Sequence, residues 1–230
     1  YKLISVNFNA KNINEIKIIE KFRDSNLSES YVEAASLFCR SFPQFSFRII
    51  HILEEKADQN LTTDKFEYVL LILHKFVNLS LFPFSKYWEP IFEILKSGKY
   101  SIEIKQKQVL ALLSIIKNEP TPEEQNKKML NLLYIVQAKE KKVYSTFLQN
   151  IDNDLLPLFI SDSFKIISLS ISLSEYSLPY SAIIRLFIRL RKLSPLSTFN
   201  IFIQLLNVLP MTYSQFTSYL NKKKLIKVWN

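Results

Sequence analysis

The apolar and polar positions of this chain alternate with the period of short helices. Ile13, Ile16, Ile19 and Phe22 fall three residues apart, on one face of a helix. Ser28 is placed to cap a second helix over residues 28–40, and Pro43 separates it from a third that reaches about Lys56. Thr63 or Asp64 is expected to cap a longer helix through Tyr68, Leu70, Leu73, Phe76 and Val77. Pro83 marks a turn, residues 85–96 form the next helix, and Gly98 sits where a left-handed C-terminal cap belongs. Residues 101–117 read as an amphipathic helix with Val109, Leu112, Leu113 and Ile116 on its apolar face. In NEPTPEEQ, Thr121 is the N-cap, Pro122 fills the first turn, and Glu123 and Glu124 suit the positive end of a helix running to about Lys139. KEKKVYSTFLQNIDNDLLPLF holds two short helices, and Ser161 or Ser163 caps a final series. Residues 1–9 read as a short strand or an extended arm. The expected fold class is all-α, about a dozen helices joined by short links.

Part of this pattern recurs. Leu178-Pro179-Tyr180-Ser181 returns as Leu209-Pro210-Met211-Thr212-Tyr213-Ser214, with the two tyrosines 33 residues apart, and Phe164 lies 35 residues before Phe199. Phe82-Pro83-Phe84-Ser85 resembles the first of these segments at a distance of 96 residues, three steps of 32. A period of this length is that of a two-helix unit, which cannot bury its apolar face alone and so stacks on its neighbours. The expectation is an α-solenoid of stacked antiparallel helix pairs. It forms one domain over 1–230 with a candidate subdivision near 118–122. An ordinary helical bundle whose helix and loop lengths imitate a period is the competing reading.

Charge is distributed unevenly over this pattern. No residue after Glu175 is acidic, while eight are basic: Arg185, Arg189, Arg191, Lys192, Lys222, Lys223, Lys224 and Lys227. The whole chain carries a formal +9, so residues 176–230 hold nearly all of it. On a helix through residues 180–193, Arg185, Arg189 and Lys192 lie within about 60° of one another at 100° per residue. Ile183, Phe187 and Leu190 take the other side. Lys222, Lys223, Lys224 and Lys227 add a second cluster. An unneutralised cationic stripe on a helical scaffold suits the phosphate backbone of a nucleic acid. These seven residues, Arg185, Arg189, Lys192, Lys222, Lys223, Lys224 and Lys227, are the candidate nucleic-acid contacts. Arg191 falls nearer the apolar side. The competing readings are cations favoured at helix C-termini, a solvated lysine-rich tail, or contact with an acidic protein.

Composition narrows the remaining chemistry. A single glycine, Gly98, excludes a P-loop, a dinucleotide-binding G-x-G-x-x-G and a G-x-S-x-G nucleophile elbow, each of which needs two or more. A single cysteine, Cys39, excludes an internal disulfide and a cysteine-based zinc site. The two histidines, His51 and His74, have no H-E-x-x-H context, and His74 reads as a core or half-buried residue. Asp152 and Asp154 lack the glycine and distal glutamate of a calcium loop and read as caps before Leu155. Glu54-Glu55 and Glu123-Glu124 are adjacent on helices and read as solvated faces. No enzymatic activity, metal, cofactor or small-molecule substrate is expected. Most of the 18 Phe and 11 Tyr, at helical spacing, are assigned to the core, and none to base stacking. Residues 193–221 carry no charge, yet their Ser, Asn, Gln and two Pro make them too polar and broken for a membrane span.

The segments SFKIISLSISLSEYSLPYSAIIRLFIRL and STFNIFIQLLNVLPMTYSQF, with helix pairs of 33–35 residues and a basic end, resemble the organellar helical-repeat RNA-binding proteins, pentatricopeptide-like and heptatricopeptide/RAP-type. The pentatricopeptide consensus expects glycines at its turns where this chain has Pro and Ser, so no base-reading position carries over. The resemblance implies association with RNA or a ribosome in a mitochondrion or plastid. The expected partners are RNA, ribosomal RNA above all, and neighbouring proteins in a mitochondrial ribosome or RNA-processing complex. The alternative is a protein-interaction scaffold of HEAT or tetratricopeptide type, in the mitochondrion or the cytoplasm.

Overall fold

The computed structural model describes residues 15–76 and 83–156, together with Leu186, Arg189 and Lys192. Among these residues there are eight α-helices and two 3-10 turns, and no strand. The expected arm at residues 1–9 and the repeat segments over 164–214 lie outside the described residues. The chain divides into two compact units, Tyr1–Glu119 and Pro120–Asn230.

The first unit contains α1 (Glu15–Asp24), α2 (Glu29–Ser41), α3 (Ser46–Asn60), α4 (Phe66–Lys75), α5 (Trp88–Ser97) and α6 (Ile102–Lys117). Its helix ends follow local chemistry. Ser28 adopts an extended conformation and its Oγ accepts from the Tyr31 N–H at 3.2 Å, satisfying one of the orphan donors of α2. Ser101 does the same for the Ile104 N–H of α6 at 3.4 Å. Gly98 ends α5 at φ 71°, a conformation that costs a side-chain-bearing residue energy because its Cβ crowds the carbonyl. Pro43 does not simply break the chain: it opens a 3-10 turn, Pro43–Phe45, that leads into α3. Thr63 caps the turn before α4 rather than the helix itself. Its Oγ1 accepts from the Lys65 N–H at 3.1 Å, and Lys65, the residue preceding α4, offers no side-chain cap.

The main helix contacts run between neighbours in sequence or next-but-one neighbours: α1 with α3, α2 with α3 and α4, α3 with α4, α4 with α6, and α5 with α6. The α4–α6 contact is the most extensive. It explains why α6 is not the one-sided helix that its sequence suggests. Gln108, Val109, Ala111, Leu112, Leu113, Ile115 and Ile116 are all buried. From Ala111 to Leu113 through Leu112, this arc covers about 200° at 100° per residue, twice the width an amphipathic surface helix needs. Helix α6 is the axis of the unit, with α4 and α5 packed on it.

The segment after Pro83 forms a second 3-10 turn, Phe84–Tyr87, where the sequence pattern predicts helix. Tertiary bonds hold it there. Lys86 Nζ lies 2.6 Å from Glu54 Oε1 and 2.8 Å from Asp58 Oδ2 on α3, and its ammonium sits over the Tyr87 ring. The Tyr87 hydroxyl donates to Asp58 Oδ1 at 2.7 Å, while the residue is only 1% exposed. Ser85 Oγ donates to Glu119 Oε1 at 3.0 Å. Glu54 is therefore part of this network and not a solvated face. A hydrogen bond to a charged acceptor contributes about 1.5–3 kcal/mol, but half-exposed Asp58 regains water when the bond is lost. Tyr87→Phe is expected to lower stability by about 1–2 kcal/mol, and Lys86→Ala, which removes two partly exposed ion pairs, by less than about 1 kcal/mol. Denaturant unfolding followed by circular dichroism measures both, and the reverse order would show that the ammonium, not the phenol, secures the turn.

The second unit contains α7 (Pro122–Gln137) and α8 (Lys141–Asn150), packed on each other. Thr121 Oγ1 accepts from the Glu124 N–H at 3.3 Å, with Pro122 in the first turn of α7. Met129, Leu132, Leu133 and Val136 of α7 are buried, as are Val143, Tyr144, Phe147 and Leu148 of α8. After α8 the chain turns: Asp152 Oδ1 accepts from the Asp154 N–H at 3.1 Å, and the Asp152 carbonyl accepts from the Leu155 N–H at 3.1 Å.

Candidate nucleic-acid interface

Of the seven candidate contacts, Arg189 and Lys192 are described, whereas Arg185, Lys222, Lys223, Lys224 and Lys227 lie outside the described residues. So do Ile183, Phe187, Leu190 and Arg191. Leu186, Arg189 and Lys192 are helical. Leu186 is 2% exposed, Arg189 is half-buried and Lys192 is exposed. Successive members of this trio are about 60° apart around the helix, so Arg189 sits on the boundary between the buried and the solvated side.

That position gives Arg189 a task. Its guanidinium donates to the Gln149 carbonyl at 3.3 Å, to the Ile151 carbonyl, and to Asn153 Oδ1 at 3.2 Å through Nε and 2.9 Å through Nη2. The last carbonyls of a helix have no partner within it, and a cation beside them is favoured by the helix dipole. Arg189 closes the C-terminal end of α8 from a part of the chain 36 to 40 residues away. Burial lowers its pKa, and Asp152 opposes that shift. The expectation that Arg189 points outward beside Lys192 meets a side chain whose fork is directed at α8. Of the described pair, Lys192 is the residue presented to solvent.

The sequence pattern gave no sign of this cap. Asn153 and the carbonyls at the end of α8 look like ordinary turn groups, and no periodicity links them to a residue so distant. The charge surplus, by contrast, follows the sequence count. The unit Pro120–Asn230 holds 14 Lys and Arg against 7 Asp and Glu, a net +7, while Tyr1–Glu119 holds 16 against 14, a net +2. Residues 120–175 hold six of these cations against all seven acids, so the surplus of the unit comes from residues 176–230, although a local basic stretch lies earlier. Between Gln125 and Asn150 five lysines face a single acid, Glu140.

The remaining chemistry-bearing side chains do not assemble. His51 Nε2 is 3.7 Å from Glu55 Oε1 on the exposed side of α3. His74 lies at the edge of the buried face of α4, one turn after fully buried Leu70; it is exposed, yet packing still desolvates its ring and lowers its pKa. Cys39 is buried, and burial pushes its thiol up to about 11 against the lowering effect of a hydrogen bond with Ser46. A thiol protonated at neutral pH is a poor nucleophile. Among the described residues no three His, Cys, Asp or Glu side chains gather as metal ligands. No described helix is long and apolar enough to cross a membrane.

No protein-family model, curated protein or solved structure matches this chain.

Proposed function

We propose that this chain is a non-catalytic helical-repeat RNA-binding protein whose second unit makes the RNA contact, as a structural subunit of a mitochondrial ribosome or RNA-processing complex. The observation that carries the reading is the net +7 of Pro120–Asn230, half of whose 14 cations come after residue 185 with no acid among them. Phosphate neutralisation by clustered Lys and Arg supplies most sequence-independent affinity for nucleic acid. Exposed Lys192 is in keeping with this. The repeat architecture is supported by contacts of α1–α6 that run to the next helix or the next but one, as they do in a stacked array.

The test reverses charge without touching the cap of α8. Lys192, Lys222, Lys223, Lys224 and Lys227 are changed together to Glu, and Arg189 is kept, because its loss would confound binding with unfolding. Affinity for RNA at 150 mM salt is expected to fall by on the order of 100-fold or more, and the salt dependence to flatten by about four charges, with helicity unchanged. Retention of RNA binding by this variant, or copurification of the native chain with a protein and no RNA, would favour the scaffold alternative.

A further inference from the structure

Three large apolar side chains stand in solvent among the described residues: Leu37, Phe47 and Tyr134. Leu37 and Phe47 belong to the nearly neutral first unit. Tyr134, 65% exposed, belongs to the basic one. It lies on α7 in a stripe with Lys127 and Asn131, both exposed, at i−7 and i−3. At 100° per residue the three fall within about 60° of one another. Lys141 and Lys142, also exposed, occupy the first turn of α8, which packs on α7 and has no acid in that turn. Two cations there oppose the helix dipole, so they add to a positive potential instead of neutralising one. The acids near this face are exposed Glu123 and Glu124 at the start of α7, Glu124 3.8 Å from Lys127 in a solvent-exposed pair, and Glu140 just before α8.

Resting on the RNA-binding reading, we propose that this face of α7 is a single-stranded RNA site in which the Tyr134 ring stacks on an unpaired base. The chemistry of the neighbours favours RNA over a protein partner. A ring that anchors a protein interface sits among apolar contacts in a desolvated patch. Here the exposed positions around the ring are Lys127, Asn131 and Ala138, and the half-buried Leu130 one turn before it is the one large apolar neighbour on that face. A lysine neutralises phosphate, an amide offers a donor and an acceptor to a base edge, and a flat ring on a convex helix meets a base only where the base is free of a duplex.

The full chain is titrated with a fluorescent 20-nucleotide oligouridine and, separately, with a 20-base-pair RNA duplex. Tyr134→Ala is expected to weaken oligouridine binding about 5- to 150-fold with an unchanged salt slope, while Tyr134→Trp retains it. Lys141→Gln with Lys142→Gln is expected to reduce the slope by about 0.7 per lysine. Because the ring is exposed, thermal melts of the variants should match the parent. If the parent binds oligouridine and Tyr134→Ala binds within twofold of it, the site is elsewhere and only the RNA reading survives. If the parent prefers the duplex, stacking is excluded. If the parent binds neither probe, the RNA reading itself fails and this site with it. Loss of a copurifying protein in Tyr134→Ala, with RNA binding intact, would make the ring a protein contact.

Discussion

Ile115→Ala and Leu112→Ala are each expected to lower the stability of the first unit by about 2–5 kcal/mol, the range for deleting a large buried aliphatic side chain where the surroundings cannot collapse. The equality is the informative part. On a one-sided helix with Val109, Leu112, Leu113 and Ile116 inward, position 115 stands at the edge of the apolar face and its truncation costs less. In the structure both residues are fully buried, because α4 and α5 cover α6 over about 200° of its surface. Denaturant unfolding of the two variants, with Leu37→Ala on the exposed side of α2 as a control near zero, decides the matter. A cost for Ile115→Ala below about 1 kcal/mol would restore the amphipathic helix.

Gln108→Met is expected to raise stability by about 1–3 kcal/mol. Gln108 is 0% exposed within the α6 arc, and neither its amide nitrogen nor its amide oxygen has a hydrogen-bond partner among the described residues. A buried, unsatisfied amide carries its full desolvation penalty, whereas methionine fills nearly the same length with apolar atoms and adapts its shape. Thermal unfolding is the measurement. A variant less stable than the parent would mean that the amide makes a bond in solution and that the polar group belongs to the core.

Much of the fold was legible because its determinants are local. Ser28, Ser101 and Thr121 cap through bonds that span three residues, and Gly98 answers a single backbone angle. What escaped depends on distant partners. Residues 84–87 have a helical pattern, yet Lys86 and Tyr87 reach acceptors on α3 that lie 28 to 33 residues earlier, and the backbone tightens to a 3-10 turn. Thr63 looked like a helix cap because its residue type is right, and it caps a turn two residues too early. In the candidate interface the surplus of charge was legible by counting. The division of labour within it was not: Arg189 and Lys192 are the same kind of residue at compatible spacing, and only the position of α8 decides that one closes a helix while the other faces water. Nothing in the sequence singled out Tyr134 from the mostly core aromatics, since α7 shows its exposed side only once α8 has covered the opposite one.

The bonds from Arg189 also set a schedule for the nascent chain. Helix α8 is complete in sequence at Asn150, but the guanidinium that satisfies its last carbonyls is added 36 to 40 residues later. At about 5–20 residues per second of translation, roughly 2–8 s separate the two events. During that interval α8 holds an open end, and a chain released before residue 189 never closes it. Truncation between Asn153 and Arg189 should therefore yield a fragment in which the last turn of α8 exchanges its amide hydrogens freely while the Thr121-capped start of α7 stays protected.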